Sequence, residues 1–383
     1  MNPSSNPSFD YLTRRLDRLA DGHRLRRLVA RRSVGAFLID EAGNRLVNFG
    51  GNDYLGLAAD RTTQRQATGS TASALVCGWT PLHQQLAMQI AKLEGTESSV
   101  LFPSGFAACS GTAATLAEKG DLILSDALNH ASLIDGCRLS AADCIVYPHR
   151  DVQFVAKTLH QRAGEYERIW ILTDGVFSMD GHVAPLKGLC DVADAHSAIM
   201  IVDEAHGTGV LGESGSGICE AVGVKDRVAI RIGTLSKAIG CQGGFVAGPT
   251  VVIDYLINRC RSLIFSTSLA PASVAASIAA IDSFRTEPER RHRVGQYARQ
   301  IRSRLSIHAA DENEASVPII PVMMGDDERA VDASERLAEA GFYVPAIRPP
   351  TVPIGSSRLR VSVSAVHDQS MIDELSRLLS KLT

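Results

Sequence analysis

The sequence predicts an α/β fold in which a large domain with a mostly parallel, doubly wound sheet precedes a small C-terminal α+β domain. Short apolar runs alternate with helical segments from about residue 99 to residue 248, the pattern of a parallel sheet with helices on both faces. After a long helical connector, further strand-like runs mix with helices. We therefore divide the chain into an N-terminal helix and hairpin arm (1–48), a large domain (49–285) and a small C-terminal domain (286–383).

Composition sets the class of protein. The chain has 383 residues, of which 45% are hydrophobic and 21% charged, with a net charge of -3, as in an ordinary globular protein with a large core. A charge this close to neutral gives no reason to expect a nucleic-acid partner. The polar N-terminus does not resemble a signal peptide, and no apolar run is long enough to span a membrane. We expect a cytoplasmic protein without a membrane partner.

The eight cysteines show no CxxC spacing, and several lie among small apolar residues. This pattern indicates reduced, mostly buried thiols in a cytoplasmic protein. It gives little support to a metal site.

The N-terminal arm begins with a basic amphipathic segment, which predicts a helix over Tyr11–Arg31 with a leucine stripe. The charge pattern favours a solvated face whose arginine stems cover apolar surface. The alternative is that one arginine of this region, such as Arg32, binds an anionic substrate. Gly35–Asn48 alternates like a hairpin, and Phe49–Ala58 reads as a loop.

In the large domain, the strand Ser99–Phe102 runs into a Ser-Gly turn and an Ala-rich helix within Pro103–Gly120. The free N–H groups and the positive dipole end of such a helix suit a phosphate, although a Ser-Gly turn before a helix is usually only a cap. The remaining predicted elements are a helix at Leu86–Leu93, strands at Asp121–Leu124 and Ile169–Thr173, and a helix over Pro185–His196.

Two apolar runs end close to polar residues that we expect to form one site. The run that starts at Ile199 ends at Asp203, and the next run leads into a Gly-rich turn around Lys237. Because parallel strands end at one edge of the sheet, where open α/β sheets bind ligands, both groups should meet there. A buried carboxylate and a lysine are the two groups that a pyridoxal phosphate site requires. Taken singly, Asp203 is typical of a strand-end acid and Lys237 of a surface lysine.

In the C-terminal part, Arg358 and Arg360 lie two apart in a predicted strand, so their side chains share one face. That face is either an exposed edge with two solvated arginines or a site where one guanidinium binds a substrate carboxylate. The spacing leaves both open. The other predicted elements are helical residues from Ala270 to Leu305 with a break at Pro288, strands at Val317–Val322, Tyr343–Ile347 and Leu359–Val363, and helices at Glu328–Ala340 and Asp368–Leu382.

Eight ordered motifs carry a family resemblance over nearly the whole chain from about residue 30. They are NDYLGL, PSGFAA, NHASL, FSMDG, VDEAHGTG, GTLSKA, FSTSLAP and AIRPPTVPIGSSRLR. In this order they resemble the α-oxoamine synthases, a family of fold-type I pyridoxal phosphate (PLP) enzymes. The resemblance implies a PLP-dependent transferase that condenses an amino acid with an acyl-CoA thioester, with loss of CO2, and a homodimer with shared active sites.

The C-terminal motif is most similar to the biotin-pathway member of the family, which implies L-alanine and pimeloyl-CoA as substrates. Members that use glycine, with acetyl-CoA or in 5-aminolevulinate synthesis, share most other motifs and remain alternatives. Another alternative is a relative of the same fold that binds a partner without catalysis. A dinucleotide-binding oxidoreductase is disfavoured because no GxGxxG follows the first strand.

The resemblance assigns roles at the cofactor. Lys237 would bind PLP covalently, Asp203 would pair with its ring nitrogen, His206 would bond its phenolic oxygen and His130 would stack on the ring. The phosphate would be held by the backbone of Gly105 and Phe106, by Ser178 and Thr234, and by Thr267 from the neighbouring subunit.

It also assigns the substrate side. Asn52 would line the substrate pocket, Arg360 is the first choice for the amino-acid carboxylate, and Arg358 is the second. The segment Gly69–His83 departs from the family pattern at several positions, and Asp174 replaces the more usual glutamate. These departures leave the cofactor site intact and leave the choice of substrate open.

Overall fold

A computed structural model of the chain describes residues 10–26, 29–40, 42–58 and 66–382. The helices are α1 (Asp10–Asp21), α2 (Pro81–Glu94), α3 (Gly105–Leu116), α4 (Ala131–Leu139), α5 (Val152–Arg162), α6 (Leu186–Ala195), α7 (Ile218–Ala221), α8 (Thr250–Arg259), α9 (Arg261–Ile264), α10 (Pro271–Thr286), α11 (Glu289–Arg304), α12 (Glu312–Ser316), α13 (Asp327–Glu339) and α14 (Gln369–Leu379). The strands are β1 (Arg32–Val34), β2 (Phe37–Ile39), β3 (Arg45–Asn48), β4 (Ser98–Phe102), β5 (Leu122–Asp126), β6 (Asp143–Tyr147), β7 (Ile169–Asp174), β8 (Ile199–Asp203), β9 (Ile230–Thr234), β10 (Gly244–Gly248), β11 (Ile319–Gly325), β12 (Phe342–Tyr343), β13 (Ala346–Ile347) and β14 (Ser357–Ser362).

The central sheet confirms the predicted fold class. Its strand order is β4-β10-β9-β8-β7-β5-β6, and only β10 runs against the others. Alternate residues along β5 enter different apolar clusters: Leu122 and Leu124 lie in one, and Ile123 lies in the other. The sheet therefore has a core on each face, as a doubly wound arrangement requires.

The C-terminal part forms the predicted α+β unit around an antiparallel sheet of order β11-β14-β13. A third apolar cluster lies here and includes Leu359, Val361 and Leu375. Phe49 is fully buried in the same cluster, and β3 pairs in parallel with β12. The N-terminal arm is therefore packed against the small domain, and the division at residues 48 and 285 stays a prediction.

Two predicted elements differ from the structure, and one strand was not predicted. Helix α1 ends at Asp21 rather than near Arg31, because His23 adopts a left-handed conformation with φ 54; residues 27 and 28 of that predicted helix lie outside the described residues. The predicted strand over residues 343–347 is split into β12 and β13, which belong to different sheets. Strand β6 was not predicted from the sequence: its apolar run, Cys144–Tyr147, is short, and at the edge of the sheet most of its residues are exposed.

All eight cysteines are free. Within the described ranges, no helix is long and apolar enough to cross a membrane. Among the same residues, no group of three or more His, Cys, Asp or Glu side chains is arranged to hold a metal ion.

Candidate active site

A cavity of about 260 Å³ opens at the carboxyl ends of β8 and β9. Its lining contains eight of the residues predicted from the sequence, which are Gly105, Phe106, His130, Ser178, Asp203, His206, Thr234 and Lys237. The other lining residues are Ser104, Ser132, Asp174, Val176, Ala205 and Ser236. Strands β8 and β9 are parallel, with Asp203 opposite Ile232. This register places the Asp203 carboxylate and the Lys237 amine at the same opening of the cavity.

Lys237 lies in the tight connection between β9 and β10. The N–H of Gly240 donates to the Lys237 carbonyl at 2.9 Å, and Gly240 has a φ of 71. A Cβ at this glycine would stand 2.5 Å from the backbone nitrogen of Ala58, so only glycine closes the turn. Burial lowers the pKa of Lys237, while Asp203 opposes the shift. A lowered pKa favours the neutral amine, which is the form that acts as a nucleophile and a base.

Asp203 is held by a donor at each carboxylate oxygen. The Ala205 N–H donates to Oδ1 at 2.8 Å, and the thiol of Cys109 donates to Oδ2 at 3.1 Å. Burial and the charge of Asp203 raise the pKa of Cys109 well above its ordinary value, so the sulfur keeps its proton. The sequence had indicated only a buried structural cysteine at this position.

Asp174 lies beside Asp203 on the adjacent strand β7. Burial and the neighbouring Asp203 raise the pKa of Asp174 well above the ordinary range, which favours a protonated acid. Its Oδ1 accepts the backbone N–H of His130 at 3.0 Å. The residue that departs from the family pattern therefore positions His130 at the start of α4.

The two cavity histidines favour the neutral form. Burial lowers the pKa of His206 well below its ordinary value, and the nearby Lys237 and Arg360 add to the effect. Nδ1 of His206 lies 2.8 Å from the hydroxyl of Tyr54, a contact that the sequence did not predict. Burial also lowers the pKa of His130, although Asp203 opposes it.

The N-terminus of α3 forms the expected anion site. Ser104 caps the helix by accepting the N–H of Ala107 at 3.1 Å. The first-turn N–H groups of Gly105 and Phe106 have no intrahelical partner. A Cβ on Gly105 would approach the Cβ of Thr234 to 3.1 Å, so the glycine lets helix and strand end meet. Together with the helix dipole, these donors suit a phosphate.

Arg358 and Arg360 differ in their partners although both are buried. The guanidinium of Arg358 forms an ion pair with the carboxylate of Asp180. Arg360 donates only to neutral oxygens: its Nε to the Ser178 carbonyl at 2.6 Å, and its Nη1 to two further acceptors, Asn52 Oδ1 at 3.1 Å and Ser362 Oγ at 2.7 Å. Within the described residues, no carboxylate is paired with Arg360.

Comparison with known proteins agrees with this geometry. The family described as aminotransferase class I and II matches residues 44–379. The 8-amino-7-oxononanoate synthase of Anaeromyxobacter dehalogenans (strain 2CP-1) is 43% identical over 344 residues, which are 88% of this chain and 86% of that protein. The 8-amino-7-oxononanoate synthase 2 of Bacillus subtilis is 43% identical over 375 residues, 95% of each chain. The chain belongs to the α-oxoamine synthases of the aminotransferase class I and II family.

The fold of this α-oxoamine synthase matches a solved structure over nearly all of both chains. Serine palmitoyltransferase from S. paucimobilis, with a bound PLP–myriocin aldimine, superposes with a TM-score of 0.89 at 28% identity and covers 99% of this chain and 98% of that chain. The fold-type I prediction made from the motifs is therefore confirmed.

The residues of this α-oxoamine synthase fit pyridoxal phosphate. One cavity holds a lysine amine, a buried carboxylate and the free N–H groups of a helix N-terminus, which match an aldehyde carbon, a ring nitrogen and a phosphate. Asp203 lines this cavity, and because each carboxylate oxygen can accept more than one hydrogen bond, it could still accept one from a protonated ring nitrogen.

Five predicted site residues, Arg360 among them, do not line the cavity. Asn52 accepts a hydrogen bond from Arg360. Arg358 contacts the carbonyl of Met179, the residue after the cavity residue Ser178. Thr267 forms a bridge with Ser73 and lines a different pocket. Arg32 lies on the exposed strand β1, so its role toward a substrate stays a prediction.

Proposed function

We propose that this chain catalyses the PLP-dependent condensation of L-alanine with pimeloyl-CoA, which yields 8-amino-7-oxononanoate, CoA and CO2 in biotin biosynthesis. Curated relatives with that name, such as the one from B. subtilis, match 95% of the chain at 43% identity. The observation that carries the proposal is the joint position of Lys237, Asp203 and the N-terminus of α3 around one cavity. A homologue without catalysis would have no need to keep these three groups together.

Pyridoxal phosphate, when bound, supplies an electron sink for the charge left at the amino-acid Cα. Lys237 is the base that removes the Cα proton, and its lowered pKa keeps the amine ready for this step. Asp203 holds the positive charge of the ring nitrogen, because an opposite charge favours the protonated form. Its two hydrogen bonds keep that carboxylate in one orientation.

The remaining site residues position the reactants. His206 would hold the phenolic oxygen of PLP, and His130 would lie against its ring. The backbone N–H groups of Gly105 and Phe106 hold the phosphate, assisted by the hydroxyl groups of Ser178 and Thr234. All six residues of this group line the cavity.

Arg360 binds the amino-acid carboxylate. The support is electrostatic: its guanidinium is buried with only neutral hydrogen-bond partners, whereas Arg358 is already paired with Asp180. A buried charge without a counterion is unfavourable, and a substrate carboxylate removes that cost. Asn52 keeps Arg360 in place until the carboxylate arrives.

We also propose that the protein works as a cytoplasmic homodimer whose subunits share active sites, with Thr267 reaching the phosphate of the neighbouring subunit. In support, Thr267 lies away from its own cavity. The neighbouring surface exposes apolar side chains, with exposed fractions of 54% for Leu75, 78% for Val76 and 72% for Phe265. Such a patch is typical of a protein interface. Light scattering should give twice the monomer mass, and a monomeric mass in the active protein would contradict a shared site.

The substrate assignment is tested by measuring CoA release from two substrate pairs. We expect rapid release with L-alanine and pimeloyl-CoA, and little with glycine and acetyl-CoA. The Lys237→Ala variant is the control for non-enzymatic thioester hydrolysis. Preference for the glycine pair would assign the chain to another α-oxoamine synthase, and no release with either pair beyond the Lys237→Ala rate would refute the activity.

A further inference from the structure

Tyr54 lies between the cofactor side and the substrate side of the site. Its side chain is 1% exposed, and its hydroxyl lies 2.8 Å from Nδ1 of His206 and 3.1 Å from Oδ1 of Asn52. The same Asn52 oxygen accepts a hydrogen bond from Arg360 at 3.1 Å. One buried hydroxyl therefore connects the histidine of the cavity to the arginine proposed for the carboxylate.

The protons on this chain of groups can be counted. Burial raises the pKa of Tyr54, so the phenol keeps its single proton, and burial makes His206 a neutral imidazole with one N–H. If Tyr54 donates to His206, the imidazole proton must be on Nε2. If Tyr54 donates to Asn52, Nδ1 of His206 must carry the proton and Nε2 becomes a bare acceptor.

Two observations favour the first arrangement. The hydroxyl is nearer to the imidazole nitrogen than to the amide oxygen, at 2.8 Å against 3.1 Å. The amide oxygen of Asn52 already accepts a charged donor, Arg360, so it does not depend on Tyr54. Nδ1 of His206, by contrast, has no other hydrogen-bond partner among the described residues.

We infer that Tyr54 is a positioning residue that donates to Nδ1 of His206 and thereby holds this histidine as the Nε2–H tautomer. Nε2 is the ring nitrogen left for a group in the cavity, which His206 lines. The histidine is then a donor rather than an acceptor toward that group. This inference rests on the proposed function, because a donor is what the phenolic oxygen of pyridoxal phosphate requires.

The first test needs no substitution and no cofactor. Nitrogen NMR of the cofactor-free protein labelled with [15N]histidine separates protonated from bare ring nitrogens, and His206→Gln assigns the signal among the 11 histidines. We expect the Nε2–H form at neutral pH. A predominantly Nδ1–H form of His206 would overturn the inference, whether or not the protein is an α-oxoamine synthase of the proposed activity.

The second test compares two variants that each remove one buried hydroxyl. Tyr54→Phe should shift the Nδ1 signal of His206, because the hydrogen bond to that nitrogen is gone. In the PLP-loaded enzyme it should also move the pH midpoint of the visible cofactor absorption by about half a unit or more. Tyr147→Phe is the matched control, since Tyr147 is fully buried and its hydroxyl has no hydrogen-bond partner in the described part of the chain.

The role of Tyr54 would be refuted if Tyr54→Phe changed the His206 nitrogen signal and the pH midpoint of cofactor absorption no more than Tyr147→Phe does. The unaffected histidine signals report whether the variant is folded. Failure of the wild-type protein to bind PLP or release CoA would refute the proposed function instead, and the tautomer measurement would stand by itself.

Discussion

Replacing Arg360 by lysine separates charge from geometry at the proposed carboxylate site. The guanidinium is 4% exposed and uses three hydrogen bonds to neutral oxygens to hold its position. Because Nε is occupied by the Ser178 carbonyl and both Nη1 protons by Asn52 and Ser362, a carboxylate can form two parallel bonds at the end of the guanidinium only by displacing Asn52 or Ser362. Lysine keeps the positive charge but loses this planar fork.

The size of the effect follows from the bonds lost. A hydrogen bond to a charged group contributes about 1.5–3 kcal/mol, and lysine replaces two parallel bonds to the carboxylate by one. At about 1.4 kcal/mol for each factor of ten, amino-acid affinity should fall by roughly 10- to 150-fold. The spectrum of the bound cofactor without amino acid should not change, because Arg360 does not line the cofactor cavity.

The assay is an equilibrium titration of the PLP enzyme with L-alanine, followed by visible absorption. Arg358→Lys is the matched control on the same strand; its ion pair with Asp180 can be kept by lysine, so affinity should stay within about threefold. Normal affinity in Arg360→Lys would remove Arg360 from the site. A larger loss in Arg358→Lys would transfer the role to Arg358.

Lys237→Ala should abolish the borohydride-trapped cofactor adduct, detected by peptide mass spectrometry, and most turnover; an adduct on any other lysine would refute the assignment. Asp203→Asn should slow Cα-proton exchange of the amino acid far more than it weakens PLP binding, and near-normal exchange would exclude the ring-nitrogen role. Cys109→Ala should lower kcat by about tenfold through loss of the donor to Asp203, a loss of about 1.4 kcal/mol; Cys109→Ser should restore it, and equal rates in both variants would show that the thiol only fills space. For His367, burial lowers the pKa from 6.5 to about 4, so the unfolded state alone binds this proton between those values and stability is lost as pH falls. The free energy of unfolding, measured in urea, should therefore decrease by about 2 kcal/mol from pH 7 to pH 5 because of this histidine. That decrease should be lost in His367→Gln and kept in the control variant His160→Gln, which changes an exposed histidine. An unchanged pH dependence in His367→Gln would refute this prediction.

The sequence determined the sheet and the cofactor side of the site. Continuous apolar runs mark strands that are buried on both faces, and the residue that ends such a run must lie at the sheet edge. Asp203 and Lys237 were placed together on this reasoning, and the register of β8 and β9 confirms it. The reasoning missed β6, whose short apolar run Cys144–Tyr147 lies at the edge of the sheet, where most of the strand is exposed rather than buried on both faces.

Only the tertiary structure decided which polar side chains act together. Arg358 and Arg360 were equivalent by their spacing, because period-two alternation places both on one face. They differ because Asp180, 178 residues away in sequence, pairs with the first and not with the second. The contact of Tyr54 with His206 spans 152 residues, and that of Cys109 with Asp203 spans 94. A local pattern reports which face or edge a residue occupies, whereas partners this far along the chain are set by how the elements pack.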